Sequence, residues 1–300
     1  MIIETENLGR KFLRHDALRG VNLQVPADAA LALIGANGAG KTTLLRILTN
    51  ILRPGSGSAR VLGKDTRSLT AADFNRIGYV SENQKLPDNL SVEHYFDYVR
   101  RLYPAWDRSL EAAFRKRFEL PPARRLAKLS HGMRVKAMLA AALSFRPALL
   151  LLDEPLSGLD SLTRDEVVGG LLEQAEATTI LISSHEMNEI EGLATHVAYL
   201  DRGELAFQAT TEELHARYRD ISVTFETSPG AMNGISETWL SPRVFERTLR
   251  FVERAYSGDE PIRRGLTERF GAIAQFQALP MSLREISKSL MSASRQEISR

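Results

Sequence analysis

The chain has 300 residues, 43% hydrophobic and 25% charged, ordinary globular proportions that exclude a collagen-like, disordered or disulfide-scaffold protein. Cysteine is absent, so disulfides, thiolate metal sites and cysteine nucleophiles are excluded together, and a reducing cytoplasm suits the chain. Lys and Arg number 39 against 37 Asp and Glu, a net charge of +2 that makes no electrostatic case for a nucleic-acid partner.

The opening MIIETENLGRKF lacks the basic-then-apolar pattern of a secretory leader. The most apolar stretch, 137–152, is interrupted by Arg146 and Pro147, short of the ~20 apolar residues a bilayer span requires. Residues 31–34 predict a buried strand ended by the glycine-rich turn 35–40. A helix is predicted over 43–50, with Leu44, Leu45, Ile47 and Leu48 on its inner side. Arg53-Pro54-Gly55-Ser56-Gly57 stops that helix, and short strands follow over 59–62 and 76–80. Residues 91–146 read as mainly helical, with Ser91 and Asp107 as N-caps and Pro121-Pro122 as a break. Apolar runs at 149–152 and 179–182 enclose a helical stretch, as in successive β-α-β units, and 197–200 predicts a further strand.

The texture changes near residue 210. Ile221, Val223 and Phe225 alternate with polar neighbours and predict a half-buried strand, 228–234 reads as a loop, and Ser282 and Glu285 have capping-box spacing ahead of a final helix. From 211 to 300 there are 13 Lys and Arg and 12 Asp and Glu, so this segment is no basic arm. The expected organisation is a first domain over 1–210, containing a helical subdomain over about 86–146, and a small α+β accessory domain over 211–300. A dimer-supporting or regulatory role is expected of the latter from its position and length.

Gly35-Ala36-Asn37-Gly38-Ala39-Gly40-Lys41-Thr42 matches G-x-x-x-x-G-K-[ST], placed between a strand and a helix. Backbone N–H groups there converge on phosphate oxygens at a helix N-terminus, glycines permit the close approach, and the helix dipole favours the negative charge. Lys41 is expected to reach the β- and γ-phosphates and the Thr42 hydroxyl to ligate Mg²⁺, with Thr43 beside it. A second signal is Leu149-Leu150-Leu151-Leu152-Asp153-Glu154, an apolar strand ending in two carboxylates where open α/β sheets place their ligands. One carboxylate suits Mg²⁺ or its water shell, and the other suits orienting or deprotonating a water for in-line attack.

Leu129-Ser130-His131-Gly132-Met133 precedes that strand by about twenty residues. Ser157-Gly158-Leu159-Asp160 follows Glu154, and Ser183-Ser184-His185 ends the next strand. In this order and spacing the five motifs resemble those of the ATP-binding cassette (ABC) ATPases: phosphate loop, signature, carboxylate strand, D-loop and switch histidine. The resemblance covers residues 1–210. It implies an α/β phosphate-loop NTPase core with a mixed sheet, an antiparallel β-subdomain and a helical subdomain. It also implies ATP and Mg²⁺ as ligands, with Phe12 stacking on adenine and Ser130 and Gly132 contacting the γ-phosphate held by a second subunit. Asp160 then runs along the dimer seam, His185 hydrogen-bonds the γ-phosphate, and Glu154 is the general base.

Two departures stand out. His131 and Met133 replace the second small position and the last polar position of the family's Leu-Ser-Gly-Gly-Gln signature, while Ser130 and Gly132 are kept. The family's Mg²⁺- and permease-sensing glutamine corresponds to Glu82 by ungapped alignment, with Gln84 as the alternative. These variants, with Pro280-Met281-Ser282-Leu283-Arg284-Glu285-Ile286, resemble the ATPase subunits of bacterial ABC-2 type transporters. That resemblance implies a head-to-tail homodimer enclosing two MgATP and a separate transmembrane permease. It also implies a peripheral place on the cytoplasmic face of the membrane and export of cargo. The competing expectation is a soluble, non-transport ABC ATPase of DNA repair or translation. Against it stand the small helical lobe between Gly40 and Ser130, the balanced charge and the single set of motifs.

Overall fold

The computed structural model describes residues 1–13, 15–175, 177–229 and 235–298. The chain divides into two compact units, Met1–Gln208 and Ala209–Arg300. The first contains, in order, β1 (Ile3–Phe12), β2 (His15–Val21), β3 (Gln24–Val25), β4 (Ala30–Ile34), α1 (Lys41–Leu48), β5 (Ser56–Val61), β6 (Lys64–Asp65), α2 (Ala71–Phe74) and β7 (Ile77–Ser81). It continues with α3 (Val92–Arg100), α4 (Arg108–Arg117), α5 (His131–Leu143), β8 (Leu149–Asp153), α6 (Ser161–Leu172), β9 (Thr179–Ser184), β10 (His196–Asp201) and β11 (Glu204–Thr210).

Two sheets form this unit. A six-stranded sheet has the order β11-β10-β4-β9-β8-β7, and the run from β10 to β7 is parallel throughout. Its central strands β4 and β8 are buried on both faces, which is why 31–34 and 149–152 are unbroken apolar runs rather than alternating ones. Leu31, Leu33, Leu149, Leu151 and Leu181 pack with Leu44, Leu45, Ile47 and Leu48 of α1 in one core. The second sheet, β2-β1-β5-β6 with β3 on β1, is antiparallel. Its strands, half-exposed with register shifts between β1 and both β2 and β5, carry weaker periodicity than the parallel core.

The predicted caps form. The Ser91 hydroxyl accepts from His94 N–H at the start of α3, and Asp107 accepts from Ser109 and Leu110 N–H at the start of α4. Between these helices the buried Glu111 carboxylate accepts from Arg100, Arg115 and Trp106 Nε1. The predicted start of α1 moves: the helix begins at Lys41, not 43, because Gly40 (φ 108) turns the chain directly into it. Among the described residues no helix is long and apolar enough to cross a membrane.

The second unit comprises α7 (Thr211–Arg217), β12 (Arg219–Phe225), β13 (Trp239–Phe245), β14 (Thr248–Glu253), α8 (Asp259–Phe270), β15 (Ile273–Pro280) and α9 (Leu283–Ile298). Its antiparallel sheet has the order β13-β14-β12-β15. Ile221, Val223 and Phe225 are fully buried and pack with Leu249, Phe251, Leu266 and Phe270. The Ser282–Glu285 capping box closes in both directions, Ser282 N–H to Glu285 at 2.8 Å and Glu285 N–H to Ser282 at 3.3 Å. Of the loop predicted over 228–234, residues 230–234 lie outside the described residues.

Candidate active site

Four neighbouring parallel strands end side by side. β4 runs into the turn 35–40, β9 into His185, β8 into Glu154 and β7 into Glu82. Sequence motifs 150 residues apart (Gly35 to His185) thus meet at the carboxyl edge of one sheet, where a doubly wound fold places ligands.

The turn itself is built around close backbone approach. A Cβ on Gly35 would lie 2.3 Å from Leu200 O, and one on Gly40 would lie 2.4 Å from Ala17 O. Gly40 is also left-handed, and it delivers α1 with its first N–H groups facing the turn made by Asn37, Gly38 and Ala39. Lys41, 5% exposed, extends back along this loop, donating to Gly35 O at 2.6 Å and Ala36 O at 3.2 Å. Its Nζ also pairs with Glu154 Oε1 at 3.0 Å. Thr43, half-buried, follows in the first turn of α1.

Asp153 and Glu154 are adjacent in sequence but differ in surroundings. Asp153 is 3% exposed and its Oδ1 accepts from Thr42 Oγ1 at 2.9 Å and Ser183 Oγ at 3.1 Å. Glu154 is held at φ 51, a left-handed conformation that costs a non-glycine residue ~1–2 kcal/mol. Such strain concentrates where surrounding structure over-determines a functional group. Its N–H donates to Ser183 Oγ at 3.0 Å, and its carboxylate is gripped from both sides, by Lys41 and by His185 Nδ1 at 2.9 Å. A carboxylate can only accept here, so Nδ1 carries the proton. The hydrogen bond to Glu154 raises the His185 pKa above the ordinary histidine value. Burial opposes this, and the charges of Glu154, Glu189 and Glu186 add to it.

The residues fit a magnesium ion. A hydroxyl and a carboxylate oxygen 2.9 Å apart are the hard oxygen donors this cation takes, with phosphates and water completing an octahedral shell. Among the described residues there is no cluster of three His, Cys, Asp or Glu that could hold a metal ion. Glu82 is half-buried beside this pair, its N–H donating to Asp153 O at 3.0 Å. Gln84 is exposed two residues farther on.

Phe12 ends β1 and is 40% exposed, so it is not a core phenylalanine; the Arg10 guanidinium lies 4.9 Å from its ring centre. Among the described residues no hydrogen bond links Ser130 to Lys41, Glu154 or His185. Ser130 caps α5, accepting from Met133 N–H at 3.2 Å, and Gly132 is tight against Thr163, whose Cγ2 would lie 2.8 Å from a Cβ there. Asp160 caps α6, accepting from Thr163 N–H and Oγ1, and these hydrogen bonds lower its pKa. Ser183 escaped the sequence reading as a site residue; its only signal was membership of the Ser-Ser-His run.

The family model described as "ABC transporter" matches residues 18–157. The chain is 32% identical to the ABC transporter ATP-binding protein NatA of Bacillus subtilis, over 73% of this chain and 92% of that one. It is 28% identical to the uncharacterized ABC transporter ATP-binding protein YxlF of the same organism, over 95% and 98% of the two chains. In fold it is similar to the dimeric, ADP- and phosphate-bound cassette MJ0796, with a TM-score of 0.62 at 23% identity, covering 69% of this chain and 98% of that one. The converging motifs and these similarities together establish that the chain belongs to the ATP-binding proteins of ABC transporters.

Proposed function

We propose that the chain is the ATP-hydrolysing subunit of an ABC-2 type exporter, working as a head-to-tail homodimer on the cytoplasmic face of a separate transmembrane permease. The observation that carries this reading is the meeting of Lys41, Thr42, Asp153, Glu154 and His185 at one sheet edge, with Ser130 and Gly132 at the start of α5.

In this reading Phe12 stacks on adenine, and Gly35 to Thr43 cradle the phosphates. Ser130 and Gly132 of the facing copy complete each site from the other side, with Asp160 along the seam. Thr42 and Asp153, with Glu82 nearby, would hold Mg²⁺, which would neutralise charge on the phosphates. Glu154 accepts the proton of the attacking water as its oxygen bonds to the γ-phosphorus and the bond to the β-phosphate oxygen breaks, leaving ADP and phosphate. The grip on Glu154 by Lys41 and His185 gives these two donors an alternative, the carboxylate or the γ-phosphate, and the phosphate frees Glu154 for the water. ATP bridges the two faces and closes the dimer; its hydrolysis removes the bridge. The helical segment over 86–146 receives the permease, which selects the cargo.

The test is ATP turnover and sizing of the purified chain in MgATP over a dilution series. The reading predicts turnover that falls with dilution as dimers dissociate, and brisk turnover by a strict monomer overturns it.

A further inference from the structure

His131 and the buried Glu189 are unused by the hydrolytic chemistry, yet both act on elements that carry it. His131 Nε2 lies 3.0 Å from Ser157 O, and Ser157 accepts this bond at the head of the turn that passes through left-handed Gly158 (φ 68) to Asp160. At the foot of the same turn, Arg164 Nη2 donates to Leu159 O at 3.3 Å. The same guanidinium pairs at 3.3 Å with Glu189 Oε1, whose side chain is 5% exposed. Glu189 Oε2 then accepts from Ser184 Oγ at 2.6 Å, and Ser184 in turn takes Glu186 N–H, so the backbone on both sides of His185 is pinned. Arg164 Nε is buried with no hydrogen-bond partner, so this arginine is positioned by its two outward contacts and not by full satisfaction of its own donors.

We propose that His131 and Arg164 are positioning residues that hold the two ends of the D-loop. They make one side-chain path from the signature turn, through Ser157–Leu159 and Glu189, to the switch histidine of the same subunit. This rests on the dimer reading: nucleotide seated on Ser130 and Gly132 belongs to the partner's site, and the path reports that seating to His185 in the subunit's own site. A histidine at 131, where the family pattern has a small residue, adds a donor to a carbonyl that glycine would leave without it. Each contact is a short polar link between packed elements, which is the kind of physical network through which coupling travels.

The test uses the full chain. His131→Leu removes the donor, His131→Gln returns an amide N–H of similar reach, and Arg164→Met removes the charge while keeping the stem. Steady-state ATPase is measured against ATP concentration, with melting temperature, and MgATP-driven dimerisation is read in a Glu154→Gln background. The proposal expects kcat to fall about 3- to 30-fold in His131→Leu and in Arg164→Met, with dimerisation kept in both and melting temperature kept in His131→Leu, while Arg164→Met, which leaves the buried Glu189 carboxylate without its cation, melts lower. It also expects recovery in His131→Gln, and a double variant no slower than the slower single one, because one path is cut twice. Unchanged kcat, effects that multiply in the double variant, or a loss in His131→Leu that tracks melting temperature overturns it. A Glu154→Gln parent that stays monomeric in MgATP overturns the dimer reading before either link is touched, which separates the two failures.

Discussion

Glu154→Gln tests the chemistry most directly. The carboxylate is 16% exposed, 3.0 Å from Lys41 Nζ and 2.9 Å from His185 Nδ1. At an effective dielectric near 20, a pair at 3.0 Å carries ~5 kcal/mol of raw Coulomb attraction. Desolvation of both charges offsets most of it, and Lys41 keeps Gly35 O and Ala36 O as acceptors, so the net loss of stability is ~1–2 kcal/mol. For a unit the size of Met1–Gln208 that is a fall in melting temperature of about 2–8 °C. Turnover changes far more: removing a general base lowers kcat about 10²- to 10⁴-fold, or ~3–5 kcal/mol of barrier. ATP binding persists, and saturation at ~100 times Kd returns ~2.7 kcal/mol, so the variant in MgATP melts above the nucleotide-free parent. Phosphate release, melting curves and sizing in MgATP measure the three effects. Phosphate release within about threefold of the parent would refute Glu154 as the base.

Lys41→Ala removes a buried cation from the phosphate loop, and ATP affinity measured by titration should weaken about 10- to 150-fold, the worth of one charge-assisted hydrogen bond. Because the folded His185 has a raised pKa, its contact with Glu154 stabilises the chain fully below the ordinary histidine value near pH 6.5. That contribution fades as pH rises through the folded value. Melting temperature against pH in His185→Ala should therefore lose part of the parent's decline above about pH 6.5; an identical slope refutes the pairing. Phe225→Ala hollows the core shared with Phe270, 5.9 Å away, and should destabilise the 211–300 unit by ~3–5 kcal/mol while ATP affinity stays at the parent's value. Loss of ATP binding in that variant argues against separate domains.

Much of the fold was legible because the buried parallel strands leave unbroken apolar runs. The four-leucine run 149–152 and the run 31–34 became β8 and β4, and Ser91, Asp107 and Ser282 became caps through purely local hydrogen bonds. The antiparallel strands β1–β3 and β13–β15 were not picked out one by one. Their half-exposed faces and irregular registers give no period strong enough to read, and their pairing depends on partners distant in the chain.

The sequence alone determined the chemistry available: a glycine-rich turn ahead of Lys41 and Thr42, two carboxylates after an apolar strand, and a histidine after the next. These are local demands of backbone conformation and side-chain type. Only the tertiary structure decided who touches whom. Strand order sets β4 against β9 and β9 against β8, which puts Ser183 between Asp153 and the Glu154 backbone and lets one carboxylate hold both Lys41 and His185. Strand order is settled by packing and pairing across the whole sheet, so no window of sequence contains it. The left-handed backbone of Glu154 and the His131 contact with Ser157 O belong to the same class, each imposed by neighbours far away along the chain.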